Sequence, residues 1–494
     1  MMQDKKLSRV LFAVLSLGAL VVLLIIGNSA FKWYKAYGRS QQAVFLLISL
    51  LIMAAIVCIG SLLRWGSGLS IKTFFILLLL VSILPRLFWV LSVRTEPFSD
   101  FLHMHNYGVA VSQGDFKNYV NFYACFPFKF GFGFLVGGLY ALFGTGPLVM
   151  PLFNVVMSLA MVTLVYFIGR EIFSETAARA SAFFCALWPA QIMYSSVVAA
   201  ENSFIVPFLG AILVFMRFIK KLGANQRSYG LLVLSGLLTA IAQAFRPMSM
   251  ILLPVFGVYL LLFVSLEAKR QKSLLIKLLS IALVAVSYFV ALKLISLPIK
   301  QLSGIDITKT GSGYNLLVGT NYDGDGKFNQ EDFALIAAYD YDFDRVHEEA
   351  FKLAVERITK DPMRFLDLVG TKIYYMWGTE NYGYYWSITP ASGGPLLKTI
   401  KTYPRSFYAG SDFFYLFMLL LAMAGCVLAL IKKNTKAAPL FLLMGGLFVA
   451  YCFLEIQSRY HFPAVPVFIL LAGFGVSQIT ALIKPKNKKL SGEI

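Results

Sequence analysis

The sequence predicts an all-α polytopic membrane protein with about 12 transmembrane helices and two extracytoplasmic loop regions. The 494-residue chain has a mean hydropathy of +0.72, and 58% of its residues are hydrophobic while only 14% are charged. Soluble domains carry about 25% charged residues. Apolar runs of about 20 residues, the length of a helix that crosses a bilayer, recur along the chain. Composition and run length together predict membrane-spanning helices.

Short polar stretches separate these apolar runs and set the boundaries of the individual spans. Because the predicted number of spans is even, both termini lie on the same side. The predicted spans are 10–27, 43–63, 73–92, 148–168, 176–195, 203–219, 229–245, 248–266, 273–297, 411–431, 438–454 and 463–483.

Basic residues fix the orientation of the spans, because they cluster directly beyond apolar runs, as cytoplasmic anchors do. This topology explains the formal net charge of +19, so no nucleic-acid partner is predicted. We expect a multi-pass plasma-membrane protein with both termini cytoplasmic and an uncleaved first span, since no small-residue cleavage site follows it. The clusters that agree are Lys5/Lys6/Arg9, Arg64/Lys72, Arg170, Arg217/Lys220/Lys221/Arg227, Lys269/Arg270/Lys272, Lys432/Lys433/Lys436 and Lys484/Lys486/Lys488/Lys489; those that disagree are Lys32, Lys35 and Arg39.

Two long segments, 93–147 and about 298–410, fall on the outer side of this topology. The run 130–144 is predicted to lie along the membrane surface, because counting it as a span would reverse several later loops. Most acidic residues and all four histidines lie on the outer side, which places any chemistry there. The histidines are His103, His105, His347 and His461.

The second outer segment contains two amphipathic helices. Asp342 or Asp344 can cap the first, which has apolar residues at helical spacing. Asp361-Pro362 ends it, and the second leads to Trp377.

Asp100 is the candidate reacting group. It lies a few residues beyond the apolar run that ends near Leu91, and a carboxylate at a membrane exit is well placed to accept a proton from a hydroxyl group. The alternative is a helix cap, since Ser99 and Asp100 precede a predicted helix over 101–113.

Glu201 is a second candidate, in a short outer turn between two predicted spans. An acid between helices usually has a charged partner, which favours a functional role. The alternative is a carboxylate simply exposed to solvent.

Arg246 and Arg459 lie at outer helix ends, and Tyr460 and His461 follow the second arginine. A guanidinium group can bind a phosphate with two parallel hydrogen bonds, which a lipid-phosphate substrate at headgroup depth requires. These four residues are the predicted donor phosphate site. The alternative for the arginines is interfacial snorkelling.

The stretch 321–332 resembles a calcium-binding loop of the EF-hand type. It has an oxygen ligand at positions one, three, five, nine and twelve, a glycine (Gly326) at the sharp-turn position six, and a backbone carbonyl at seven. Its last ligand is Asp rather than Glu, and the alternative is a polar β-turn. The predicted structural Ca²⁺ ligands are Asn321, Asp323, Asp325, Lys327, Asn329 and Asp332.

The chain resembles the GT-C membrane glycosyltransferases from about Leu84 to the last span. The resemblance rests on the order and spacing of several short motifs. In particular, the chain resembles glycosyltransferase family 39 and its relatives, the protein O-mannosyltransferases and the lipid A aminoarabinose transferases. The motifs are Pro85-Arg86-Leu87, Pro97-Phe98-Ser99-Asp100, Phe167-Ile168-Gly169-Arg170, Ala186-Leu187-Trp188-Pro189-Ala190-Gln191-Ile192-Met193-Tyr194-Ser195, Glu201, Arg246-Pro247, Gly319-Thr320-Asn321, and Arg459-Tyr460 with Pro463 and Pro466.

The resemblance implies a GT-C-like helix bundle and inverting transfer of a sugar, expected to be a hexose, from a polyprenyl-phosphate donor on the extracytoplasmic face. The acceptor would be a hydroxyl group of an envelope glycan, lipid or protein. Asp100 would be the general base, with Glu201 as a second catalytic candidate. Arg246 and Arg459 would stabilise the departing phosphate, in such enzymes often together with a divalent cation. The adjacent Asp-Glu of the protein mannosyltransferases is Asp100-Phe101 here, so their acceptor is not implied.

The resemblance also divides the chain. The N-terminal hairpin is not part of the family pattern and is predicted to be an accessory or partner-binding element. The predicted parts are 1–72 (N-terminal hairpin), 73–297 (GT-C-like core with outer loop 93–147), 298–410 (extracytoplasmic region with the loop 321–332) and 411–494 (C-terminal helices and a basic cytoplasmic tail).

Two other functions are compatible with many spans and large outer loops. A flippase or transporter of lipid-linked saccharides would carry charges within its spans, of which Arg86 is the clearest here. A polymerase or ligase of lipid-linked glycans, of the O-antigen type, would transfer saccharides en bloc or extend a chain.

Overall fold

The computed structural model describes residues 2–40, 43, 47, 69–226, 228–266 and 270–482. Within these residues, α-helices are joined by turns and short 3₁₀ segments, and one two-stranded antiparallel sheet is present. The helices are α1 (Met2–Ala36), α2 (Ile71–Ser92), α3 (Asp100–Ser112), α4 (Phe128–Phe143), α5 (Val149–Ile172), α6 (Glu175–Ala186), α7 (Pro189–Tyr194), α8 (Ala200–Gly223), α9 (Gly230–Phe245), α10 (Leu252–Phe263), α11 (Arg270–Ser303), α12 (Gly313–Gly319), α13 (Gln330–Ala338), α14 (Phe343–Lys360), α15 (Pro362–Trp377), α16 (Tyr382–Ile388), α17 (Leu397–Thr402), α18 (Pro404–Ile431), α19 (Ala438–Phe453) and α20 (Val465–Leu482); the strands are β1 (Arg94–Thr95) and β2 (Ala391–Gly393).

Eight helical segments in the described part of the chain are long and apolar enough to cross a membrane, which confirms the all-α polytopic fold class. The predicted span 43–63, apart from residues 43 and 47, and the basic tail from Lys484 lie outside the described residues, so the count of 12 spans stays a prediction. The eight segments are Lys6–Ala36, Ile71–Ser92, Val149–Ile172, Ala200–Gly223, Gln271–Ser303, Pro404–Ile431, Thr435–Phe453 and Ser458–Thr480; shorter apolar helices are Phe128–Phe143, Gly230–Phe245 and Pro247–Phe263.

The predicted single span 176–195 is instead two helices, α6 and α7. Proline disfavours helical geometry in the residue before it, and Trp188 has an extended backbone while Pro189 begins α7. The buried guanidinium of Arg86 on α2 donates to the Ala186 carbonyl at 2.7 Å. The carbonyl at the end of α6 is thus capped by an arginine from within a span.

The two segments predicted to lie outside the membrane pack against each other. Strand β1 pairs with β2, with Arg94 opposite Gly393. The side chain of His347 on α14 lies 2.9 Å from the Cys125 carbonyl oxygen through Nε2. These contacts join the segments 93–147 and about 298–410, called the first and second polar segments from here on.

The two amphipathic helices predicted in the second segment are confirmed as α14 and α15. Asp342 caps α14 by accepting a hydrogen bond from the Arg345 amide at 2.8 Å. Asp361 caps α15 in the same way, and Pro362 occupies the first turn, where its missing N–H costs nothing.

The glycine-rich run 130–144 forms most of α4, which packs against α3 and α9. Gly131 faces the Ala244 carbonyl so closely that any β-carbon would overlap it. This approach fixes the start of α4, and with it Lys129, against the end of α9. The position of the run along the membrane surface stays a prediction.

The first helix is part of the helix bundle, since it packs along α18. The Tyr37 hydroxyl donates to Asp412 at 2.8 Å. The Trp33 ring stacks on Tyr374 with centroids 5.0 Å apart, and its Nε1 donates to the Tyr374 carbonyl at 3.0 Å. The described half of the predicted accessory hairpin therefore contacts both the bundle and the second polar segment.

Candidate active site

Asp100 is the first residue of α3 and follows Ser99, whose φ of 53° is rare for a non-glycine residue. The Ser99 side chain makes no capping hydrogen bond. The Asp100 carboxylate faces two cations instead, with Oδ1 3.3 Å from Lys129 Nζ and Oδ2 3.9 Å from Arg459 Nη2. Its side chain is 38% exposed, so the carboxylate is held by two cations and remains accessible.

Lys129 is an ammonium group enclosed by aromatic rings. Its Nζ lies 5.2, 4.6 and 4.9 Å from the ring centroids of Phe122, Tyr123 and Phe126, and only 8% of the side chain is exposed. A cation over aromatic faces is attracted by the ring quadrupoles. The Lys129 ammonium, and secondarily the Arg459 guanidinium, holds the pKa of Asp100 below its usual value against the opposing effect of burial.

Glu201 lies in the first turn of α8 and is nearly fully buried. Its Oε1 forms an ion pair with Arg246 at the end of α9 and lies 3.4 Å from Arg459 Nε. One carboxylate therefore holds two guanidinium groups side by side. This placement agrees with the prediction that Glu201 has a charged partner and differs from the solvated alternative.

Arg459 lies in the 3₁₀ segment Ser458–Ala464 and is packed between rings. Its guanidinium carbon is 4.6 Å from the centroid of Phe101 and 4.4 Å from that of Trp386. The Tyr460 ring lies 5.1 Å from the Arg246 guanidinium. Arg459 Nη1 is buried without a hydrogen-bond partner within the described chain. Buried donors normally have partners, so this nitrogen is available to an anion.

His461 does not reach this cavity. Its Nε2 lies 2.7 Å from Glu380 Oε1 and its Nδ1 lies 2.7 Å from the Met376 carbonyl oxygen, with the side chain fully buried. Because both ring nitrogens have partners inside the protein, the arrangement offers no contact between His461 and a donor phosphate. Of the predicted phosphate ligands, the structure brings together the other three.

The two arginines, Asp100, Glu201 and Tyr460 line one cavity of about 870 Å³. This is within the range of 300–1,000 Å³ typical of small-molecule sites. The walls combine rings from both polar segments with the ionic groups. Trp33 of α1 also lines it. The charged lining residues are Asp100, Lys129, Glu201, Arg246, Lys327, Glu455 and Arg459.

Lys129 and Glu455 are cavity residues that sequence reasoning missed. Burial, followed by the charge of Asp100, raises the pKa of Glu455 to about 7. The available signals were a single cation in the aromatic run 126–130 and an acid four residues before Arg459. Two carboxyl groups with oppositely shifted pKa values therefore face the same space.

In the predicted calcium loop, side chains of the protein itself bind the last predicted ligand, Asp332. Gly326 has the predicted left-handed backbone, with φ of 69°. Asp332 is almost completely buried and binds Arg357 at 2.7 Å, and the side-chain amides of Asn321 and Asn329 donate to it at 3.0 and 2.9 Å.

The other two carboxylates of this loop also face cations. Asp323 lies 3.4 Å from Arg364, and Asp325 lies 3.5 Å from Lys327. Across the described ranges, no three acidic, histidine or cysteine side chains are grouped to hold a metal ion. In this arrangement the loop carboxylates face protein cations, and calcium binding stays a prediction.

Residues 130–291 match the sequence profile of the family described as dolichyl-phosphate-mannose-protein mannosyltransferase. The matched segment contains Glu201 and Arg246 and ends before Arg459. It confirms the resemblance to GT-C glycosyltransferases inferred from the motifs. No curated protein matches the chain.

Solved structures of the oligosaccharyltransferase of Archaeoglobus fulgidus are similar at low identity. The apo form has a TM-score of 0.48 at 15% identity, covering 83% of this chain and 51% of that chain. A form tethered to an acceptor peptide with an NVT sequon has a TM-score of 0.47 at 14%, covering 83% and 50%. A complex with an inhibitory peptide and dolichol-phosphate has a TM-score of 0.45 at 14%, covering 84% and 53%. The chain thus spans about half the length of these proteins.

Proposed function

We propose that this protein is an inverting glycosyltransferase that moves a sugar from a polyprenyl-phosphate donor to a hydroxyl group of an envelope glycan, lipid or protein. The observation that carries the proposal is that an accessible carboxylate, Asp100, shares one cavity with Arg246 and Arg459. A base and a pair of phosphate-binding cations are what such a transfer requires. The match to a family of dolichyl-phosphate-mannose-dependent transferases supports a lipid-linked sugar donor.

Asp100 acts as the general base in this proposal. Its lowered pKa keeps the carboxylate ionised at neutral pH, so it can accept the proton of the acceptor hydroxyl. The hydroxyl oxygen attacks the anomeric carbon as the bond from that carbon to the phosphate oxygen breaks. The bonding electron pair leaves with the polyprenyl phosphate, and attack from the opposite face inverts the configuration.

Arg459 and Arg246 hold the departing phosphate. Arg459 Nη1, which has no hydrogen-bond partner in the described chain, can donate a hydrogen bond to the phosphate. A planar guanidinium matches a phosphate in geometry as well as charge. Glu201 has a positioning role, because its buried carboxylate orients both arginines. Tyr460 packs against the guanidinium of Arg246 and supports it from one face.

The divalent cation implied by the family resemblance has no matching ligand group in the described chain. Both oxygens of Asp100 face an ammonium or guanidinium group. In this proposal the two arginines supply the positive charge at the leaving phosphate.

The cavity is assigned to the extracytoplasmic face of the plasma membrane, with both termini cytoplasmic. The positive-inside distribution of Lys and Arg supports this orientation. A polyprenyl-phosphate sugar at headgroup depth would reach the cavity laterally, with its lipid remaining in the membrane.

The test is product analysis with purified protein, labelled polyprenyl-phosphate hexose and candidate acceptors. We expect release of polyprenyl phosphate and one inverted sugar residue per acceptor. Chain growth or en bloc transfer would contradict the proposal in favour of a polymerase or ligase. Transbilayer movement of the donor in proteoliposomes, without transfer to any acceptor, would contradict it in favour of a flippase.

A further inference from the structure

We propose that the buried pair His461–Glu380 is a positioning device that holds Arg459 at the donor phosphate. This inference rests on the proposed function, because it concerns the same phosphate site. His461 follows Arg459 by two residues within the 3₁₀ segment Ser458–Ala464. Any contact that fixes the imidazole therefore also fixes the backbone that carries the guanidinium.

The contacts of the His461 ring require a proton between it and Glu380. Both ring nitrogens lie 2.7 Å from oxygen atoms, those of Glu380 and the Met376 carbonyl. A carbonyl only accepts, so Nδ1 carries a hydrogen; Nε2 then bonds Glu380 only if the imidazole or the carboxyl group holds a further proton. A hydrogen bond thus joins the two side chains. Because both are fully buried, water does not compete for this bond.

Aromatic rings prevent the imidazole from turning. The rings of Trp377 and Tyr415 stack on it with centroids 5.7 Å away in each case and interplanar angles of 24° and 14°. The two hydrogen bonds fix the ring within its plane, and these contacts restrict movement out of the plane.

Glu380 is itself fixed by two other parts of the chain. Its Oε2 accepts from Trp188 Nε1 at 3.0 Å, at the break between α6 and α7. Its backbone amide donates to Asp412 Oδ1 on α18 at 2.7 Å. The pair therefore ties the Arg459 segment to the broken span and to α18.

The backbone position matters for Arg459 because its ionic contacts are long. Its nearest carboxylate contacts are 3.4 Å to Glu201 and 3.9 Å to Asp100, and Nε and Nη1 lack hydrogen bonds in the described structure. The location of its backbone therefore helps to set where the guanidinium lies, together with Glu201 and the rings of Phe101 and Trp386.

The test compares Glu380→Leu, which removes the bond to His461, with Glu380→Gln, whose amide can donate to Nε2 while its oxygen still accepts from Trp188. We expect Glu380→Leu to raise the KM for polyprenyl-phosphate hexose on the order of tenfold, as for a weakened charge-assisted hydrogen bond to the phosphate, while kcat changes less than about threefold. Glu380→Gln should restore the parent KM. If Glu380→Leu only reduced the folded fraction, the apparent kcat would fall and the KM of the remaining folded enzyme would stay at the parent value.

A double-mutant cycle with Arg459→Met makes the inference specific. In that background, Glu380→Leu should cause no further loss of donor affinity, because the group it positions is absent. Binding of polyprenyl phosphate alone, measured without turnover, keeps the test valid if the catalytic proposal fails. If Glu380→Leu does not fold, His461→Gln replaces it in the same cycle. Folded variants with unchanged donor affinity, or losses that add in the double variant, would overturn the positioning role.

Discussion

The ammonium nitrogen of Lys129 lies 3.3 Å from Asp100 Oδ1 and is enclosed by the rings of Phe122, Tyr123 and Phe126. The enclosure keeps the ammonium from water and directs its charge to one carboxylate. The other carboxylate oxygen, Oδ2, lies 3.9 Å from Arg459 Nη2, a longer contact than the one to Lys129. The two cations therefore stabilise the ionised carboxylate and leave it accessible. This pair connects the aromatic residues of the first polar segment to the proposed chemistry.

The acid limb of the pH–rate profile should respond to Lys129. Asp100 works as a base when ionised, so kcat/KM is retained above its folded pKa and lost as pH falls through it. Lys129 is the main cause of the lowered pKa, and Lys129→Met should therefore move the acid limb of log(kcat/KM) to higher pH. The exposed Lys117→Met is the matched control and should leave the limb in place. Coincident acid limbs in the parent and Lys129→Met would contradict this role.

Replacing Arg459 by lysine should weaken donor binding although the charge is kept. The guanidinium packs between Phe101 and Trp386, and an ammonium neither stacks as a plane nor binds phosphate with two parallel bonds. We expect the donor KM of Arg459→Lys to rise about tenfold or more, the loss of one charge-assisted hydrogen bond. The exposed Arg405→Lys should behave as the parent. An Arg459→Lys enzyme with the parent donor KM would show that the guanidinium does not bind the phosphate.

Glu455 should make thermal stability depend on pH. Its folded pKa, about 7, lies above the usual value of 4.5, so its contribution to stability is fully present below about pH 4.5 and is lost as pH rises through 7. As pH rises from 5 to 8, the Tm of the parent should therefore fall more than the Tm of Glu455→Gln. Equal slopes of Tm against pH for the two proteins would refute the assignment.

The sequence predicted the parts of the site that depend on local pattern and missed those that depend on packing. Asp100, Arg246 and Arg459 could be found because a charge beside an apolar run is conspicuous. Lys129 could not, because its importance comes from the folded arrangement in which three rings surround its ammonium while it approaches Asp100. His461 was predicted to bind the donor phosphate, yet its ring belongs to a buried network with Glu380 that no local pattern reveals.

The fold shows the same division. The capping residues and Pro362 were enough to predict α14 and α15 from sequence, since these signals act within one turn of the chain. The break at Trp188 depends on Pro189 and on Arg86 from another helix, so hydropathy alone predicted one continuous span.

Arg357 closes the loop 321–332, and its removal should be costly. Asp332 is buried and paired with it at 2.7 Å, and breaking a buried ion pair typically costs about 3–5 kcal/mol. Arg357→Met should therefore lower Tm strongly, whereas the exposed Arg345→Met should not. Unfolding monitored by tryptophan fluorescence measures both.

The same variant tests calcium binding. If the loop binds calcium when Asp332 is free, added Ca²⁺ should raise the Tm of Arg357→Met, and Asp323→Ala with Asp325→Ala should abolish the effect. Equal Tm values with Ca²⁺ and with chelator, in both the parent and Arg357→Met, would leave the loop as a polar turn.

The most direct test of the account is single-turnover transfer by Asp100→Asn with donor already bound. The variant keeps the size of the side chain and removes the proton-accepting charge, and general-base catalysis typically contributes about 10²–10⁴-fold. We predict a loss of this order in the transfer rate of the folded variant with donor affinity close to the parent, while the exposed Asp115→Asn transfers normally. Transfer by Asp100→Asn at the parent rate would contradict the account.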